Sequence, residues 1–150
     1  MNLEVKRIDP ETAMPKHAKP GDAGIDLSVG ENIDIQEGET VIVGTGLSFA
    51  IPDGMYGMLA PRSGFASKYG VTLANAPSII DSGYRGEVKL ALYRNYGPND
   101  GTNRLPLHIK KGTRVAQMVI MPYAQCEFEE AEELSDTERG DGGFGSTGGF

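Results

Sequence analysis

A chain of 150 residues has room for one domain around one modest core. A formal charge of -7 and an isoelectric point near 4.8 give a surface that repels nucleic-acid phosphates, and no run of about eighteen apolar residues offers a membrane span. The single Cys126 excludes an internal disulfide or a thiolate metal cluster, and His17 and His108 lie too far apart for an HExxH zinc site and give a Ser-His-Asp triad little support.

The catalytic options therefore narrow to carboxylates, arginines, hydroxyls, backbone amides and a metal supplied from outside. A small polyphosphate remains an acceptable ligand if a local cationic pocket or a metal overrides the acidic field. Residues 1–20 carry no apolar stretch of the kind a secretory signal needs, so a cytoplasmic location is the expectation.

In chain order, short apolar runs alternate with Gly, Pro, Asn and Asp, the rhythm of a sandwich or barrel of short strands. Strands are predicted over 3–8, 25–29, 32–35, 38–43, 46–51 and 55–60. Ser63 to Tyr69 is the one stretch that reads as a helix, about two turns long. Further strands are predicted over 71–73, 78–80, 87–93, 105–109 and 114–122, with a polar loop over 96–104. An acidic run begins at Glu127, and Arg139 to Phe150 holds six glycines in twelve residues. A core over 1–134 and a mobile C-terminal arm over 135–150 are the expected division.

Five segments carry candidate chemistry. Asp26, in Ala23-Gly24-Ile25-Asp26-Leu27, either caps a turn or holds a water of a hydrated Mg2+, a metal that often takes only one or two carboxylates beside substrate phosphates. In Pro61-Arg62-Ser63-Gly64 a strand end meets a short helix; Ser63 is either an N-cap or, with the first-turn amides and the Arg62 fork, part of an anion site.

The third segment runs from Asn75 to Gly86 and reads as a hairpin whose open end can accept a flat heterocycle. Asp81, after Ile79 and Ile80, can orient a water, and the Tyr84 ring can pack under a sugar and leave no room for a 2′-hydroxyl. An ordinary Asp-Ser-Gly turn with an exposed tyrosine is the alternative. In Arg114-Val-Ala-Gln117-Met118, Gln117 is the oddity of a buried strand: its amide pairs with neighbouring backbone or with phosphate oxygens. Finally, Arg139 to Gly148 suits a closing arm, with Phe144 able to stack on a base, and Arg139 and the amides around Gly145 and Ser146 able to wrap terminal phosphates.

Taken in this order, PRSG, IIDSGYRGE and RGDGGFGSTG resemble motifs of the trimeric dUTPase family, and the resemblance spans about Ala23 to Gly148. It implies an all-β jelly roll that assembles as a homotrimer and hydrolyses dUTP to dUMP and diphosphate with Mg2+. It further implies sites at subunit junctions. One subunit gives Asp26, Arg62, Ser63, Gly64 and Gln117, a second gives the Asn75–Asp81 hairpin, and the third gives the arm with Arg139 and Phe144. Asn75, Ile79, Ile80 and Asp81 would line the uracil and deoxyribose pocket with Lys89 beside it, Tyr84 would exclude ribonucleotides, and Asp81 would hold the attacking water. One departure stands out: the family usually has glycine three residues before the catalytic Asp, where this chain has Ser78.

Two rival readings accompany this one. A dCTP deaminase, similar in fold, needs a catalytic Glu in the strand after the hairpin, and the corresponding position here is Ala91, which cannot transfer a proton. A nucleotide-sensing jelly roll without hydrolysis would have no need of the combined Asp81, Arg139 and Phe144 set.

Overall fold

The computed structural model describes residues 1–95 and 105–143. Eleven strands and one helix follow one another as β1 (Glu4–Arg7), β2 (Ile25–Ser28), β3 (Ile33–Ile35), β4 (Thr40–Gly44), β5 (Leu47–Ala50), β6 (Met55–Pro61), α1 (Ser63–Tyr69), β7 (Val71–Leu73), β8 (Ser78–Ile80), β9 (Lys89–Arg94), β10 (Leu107–Ile109) and β11 (Arg114–Pro122) among the described residues. The expected loop at 96–104 lies outside them, as do Phe144, Gly145 and Ser146.

Two larger sheets dominate. One has the order β2-β11-β6-β8 and the other β4-β9-β7, while β1-β5 and β10-β3 form two-stranded ribbons; every pairing is antiparallel. Alternation in the sequence produces one buried face per strand, because successive side chains leave a strand on opposite sides. Ile33 and Ile35 are buried while Asp34 between them is exposed, and Leu90, Leu92 and Arg94 on β9 alternate with more accessible neighbours. The inward faces share one core that includes Leu27, Leu59 and Met118 from the four-stranded sheet and Val43, Val71 and Leu90 from the three-stranded one. Removing such a buried side chain costs about 2–5 kcal/mol.

Two features position the site. The first is a bulge in β11: Arg114 pairs with Ser28 and Ala116 with Leu27, so Val115 is an extra residue on that edge. The Val115 carbonyl instead accepts the Arg62 amide at 3.2 Å. The second is the placement of β8. The segment from Asn75 to Gly86 reads in the sequence as a hairpin, but β8 does not pair with β9. It pairs with β6 (Gly57 with Ile80, Leu59 with Ser78), whereas β9 pairs with β4 and β7. The turn after Ile80 therefore crosses from one sheet to the other. Beyond Pro122 no residue up to 143 joins a strand or helix, and almost every side chain there is exposed.

Candidate active site

Asp26 on β2 stands directly across from Gln117 on β11, and Gln117 faces Ala60 of β6 on its other side. Directly opposed residues in a ladder project from the same face, so the three form one row. Arg62 follows the end of β6 and places its Nε 2.9 Å from Asp26 Oδ1. Arg114 Nη1 donates to Asp26 Oδ2 at 2.8 Å. The Asp26 side chain is 14 % exposed, so one shielded carboxylate holds two guanidinium groups.

The bulge makes this possible. Arg114 and Gln117 are three residues apart, an odd interval that sends them to opposite faces of a regular strand. The extra residue brings Arg114 within reach of Asp26 while Gln117 keeps its place opposite it. Sequence reasoning does not single out Arg114, because nothing local announces the bulge.

The Gln117 Nε2 donates to the Pro61 carbonyl at 3.3 Å, which leaves its second N–H available. A Cβ at Gly24 would meet Gln117 Oε1, so a side chain there would push the amide from this position. Helix α1 starts at Ser63, and Arg62 is the extended residue before it; no side chain caps the helix, so Ser63 is not its N-cap. The amides of Ser63 and Gly64, at the first two helical positions, have no intrahelical acceptor. A Cβ at Gly64 would meet nothing within 4 Å, so this end of the helix is open. Together these groups border a cleft of about 690 Å³, lined by Asp26, Arg62, Ser63, Gly64, Phe65 and Gln117 among others. The Arg62 fork, two free amides, a hydroxyl and an amide side chain suit a polyanion.

A metal fits this cleft only loosely. Among the described residues no three His, Cys, Asp or Glu side chains converge as a ligand set. Asp26 gives one lone pair of each oxygen to an arginine and retains two further acceptor positions. That matches contact with the hydration shell of Mg2+, an ion that keeps several waters and leans on substrate phosphates.

The other expected residues lie elsewhere on the chain. Ile79 and Asp81 are exposed and Ile80 is half-buried, and none of the three lines the cleft. Asn75 donates from Nδ2 to the Ser78 hydroxyl at 3.2 Å. The Tyr84 hydroxyl donates to the Glu87 carbonyl at 2.9 Å. Lys89, opposite Gly44, lines a separate groove with Asp9, Ile42 and Glu87. Arg139 closes its own turn, with Nε donating to the Gly142 carbonyl at 3.1 Å. A further cavity of about 380 Å³ shares Ala18 and Asp26 with the cleft and is lined also by Lys111 and Arg114. The hydrogen bond from Lys111 holds the Asp9 carboxyl below its ordinary value, and the bond to Asp9 raises Lys111.

A family model described as dUTPase matches residues 10–148. The chain belongs to the dUTPase family. Among curated dUTPases, the deoxyuridine 5′-triphosphate nucleotidohydrolase of Thermobifida fusca is 44 % identical over 99 % of this chain and 80 % of its own length. That of Clostridium kluyveri is 46 % identical over 99 % of each. A solved Staphylococcus bacteriophage 80alpha dUTPase carrying dUpNHpp superposes with a TM-score of 0.85 at 29 % identity, covering 98 % of both chains. A mutant dUTPase from phage phi11 of S. aureus, solved to show how a structural Mg(II) ion is coordinated, has a TM-score of 0.79 at 25 % identity over 89 % of this chain and 99 % of its own. The sandwich is thus the jelly roll of the dUTPases. Among the described residues no helix is long and apolar enough to cross a membrane.

Proposed function

We propose that the chain hydrolyses dUTP to dUMP and diphosphate, keeping uracil out of DNA and supplying dUMP for dTMP synthesis. Family membership and the anion-binding cleft built on Asp26, Arg62 and Gln117 support this reading. The phage relative bound to dUpNHpp supports a deoxyuridine triphosphate as the ligand.

In the proposed reaction Asp81 accepts a proton from a water whose oxygen attacks the α-phosphorus. The bond from that phosphorus to the oxygen bridging the α- and β-phosphates breaks, and its electrons leave with the diphosphate. Arg62, the amides of Ser63 and Gly64, and Gln117 hold the phosphate chain, and Arg139 with Phe144, Gly145 and Ser146 closes over it. Asn75, Ile79, Ile80 and Lys89 line the base and sugar pocket, and Tyr84 stands where a 2′-hydroxyl would project. When bound, Mg2+ neutralises charge on the three phosphates, and Asp26 would contact its hydration shell.

One geometric relation carries the further proposal that sites are shared in a homotrimer. Ile80 pairs with Gly57, and Arg62 follows Gly57 by five residues along β6. At about 3.4 Å per residue the two ends lie roughly 17 Å apart, which separates Asp81 from the Arg62 of its own chain. The separation supports a site in which a second copy supplies the carboxylate. Phe128 and Leu134, 98 % and 88 % exposed in the segment after β11, support packing of that segment on another copy. The acidic surface favours a free nucleotide over a nucleic acid. The division into a core over 1–134 and an arm over 135–150 belongs to the same proposal.

A deaminase reading lacks support: Ala91 lies within β9 opposite Ile42 and has no proton to transfer. Measuring diphosphate release from dUTP, with dTTP, UTP and dCTP as controls, tests the function. Selective release from dUTP is expected. Ammonia release from dCTP, or binding of dUTP without turnover, would overturn it.

A further inference from the structure

Gly86 is not among the glycines with positive φ, so its backbone conformation does not demand glycine. The Tyr84 ring fills the space that a side chain there would take. A Cβ on Gly86 would lie 2.5 Å from the tyrosine Oη, 2.7 Å from Cζ and 3.0 Å from Cε2. These are ring atoms as well as the hydroxyl, and the hydroxyl is itself tied to the Glu87 carbonyl at 2.9 Å. The ring is thus held at its phenolic end by contact with Gly86 and by its bond to Glu87. Its remaining surface is open, since Tyr84 is 43 % exposed.

We propose that Gly86 is a specificity-determining residue that acts through Tyr84. By leaving room for the ring, it fixes the gap that separates deoxyribonucleoside from ribonucleoside triphosphates. The inference rests on dUTP being the substrate and on the Tyr84 ring lying against its sugar. A methyl group at position 86 displaces the ring and breaks its tether to Glu87. A ring without a fixed position cannot keep closed the small space that a 2′-hydroxyl needs.

The test compares kcat/KM for dUTP and UTP in the full-length enzyme. In Gly86→Ala the preference for dUTP falls about tenfold or more, the range expected when a pocket loses one steric discriminator. In a Tyr84→Ala background the same substitution lowers the preference no further. Equal losses on both nucleotides in Gly86→Ala, or a further drop in the Tyr84→Ala background, would overturn the inference. Should Gly86→Ala alone fail to fold, the double variant with Tyr84→Ala decides: with the ring gone it folds and shows the preference of Tyr84→Ala, and failure of the double variant to fold would overturn the inference. Failure of the unsubstituted chain to hydrolyse dUTP would instead refute the functional reading beneath it.

Discussion

Arg62 and Asp81 lie toward opposite ends of strand β6. The register sets this: Ile80 sits beside Gly57, near the start of the strand, whereas Arg62 follows its last residue, Pro61. The phosphate-binding groups and the proposed base are thus both present in each chain and are kept apart by the sheet that carries them.

Asp26 is the hub of the cationic cleft, and its removal should release both Arg62 and Arg114. In Asp26→Asn, kcat/KM for dUTP should fall on the order of 10²-fold, the scale for losing one partner of a shielded charge pair. Melting should change little, because the arginines can turn to solvent. Arg114→Met should cost less than tenfold, and steady-state kinetics on both variants checks the ranking. Unimpaired turnover in Asp26→Asn would remove it from the site.

Asp81→Asn should keep nucleotide affinity and lose about 10²- to 10⁴-fold in turnover, the usual contribution of a general base. Calorimetric titration with dUpNHpp beside single-turnover kinetics separates the two quantities. Near-normal turnover would show that another group handles the proton.

How much of this was legible in the sequence depends on the distance over which each feature is set. The bounds of α1, β7, β8 and β11 coincide with the predicted ones, because Gly70 and the alternation of apolar residues are local signals. Elsewhere the strand ends shift by one or two residues, where Glu39 or Val88 lies outside the paired register of β4 and β9. The partner of β8 was not legible: Asp-Ser-Gly announces that the chain turns but not which strand receives it. Arg114 escaped for a similar reason, since its role depends on an extra residue at Val115. Lys89, expected beside the uracil pocket, lines a groove with Asp9, Ile42 and Glu87 within one chain.

Ser78, the departure from the family glycine, carries a bond to Asn75 rather than an empty side chain. Losing one such bond is worth about 0.5–1.5 kcal/mol. Ser78→Ala should therefore raise KM for dUTP about two- to tenfold with kcat held, and Ser78→Thr should restore it. An unchanged KM in Ser78→Ala would show that Asn75 needs no such support.

Deleting residues 139–150 should leave assembly and melting intact, because among the described residues the packed core draws none from beyond β11. Turnover should fall about 10²-fold or more as the phosphates lose their cover. Size-exclusion chromatography with light scattering and activity assays on the truncated chain measure both effects. Monomerisation or aggregation would assign the segment a structural task.

Mixing two inactive variants tests the shared site most directly. Arg62→Ala and Asp81→Asn chains, unfolded together in equal amounts and refolded, should regain about one quarter of normal activity, because a random trimer rebuilds that share of junctions with both groups intact. Activity no higher than that of either variant alone would mean that each chain builds its site unaided.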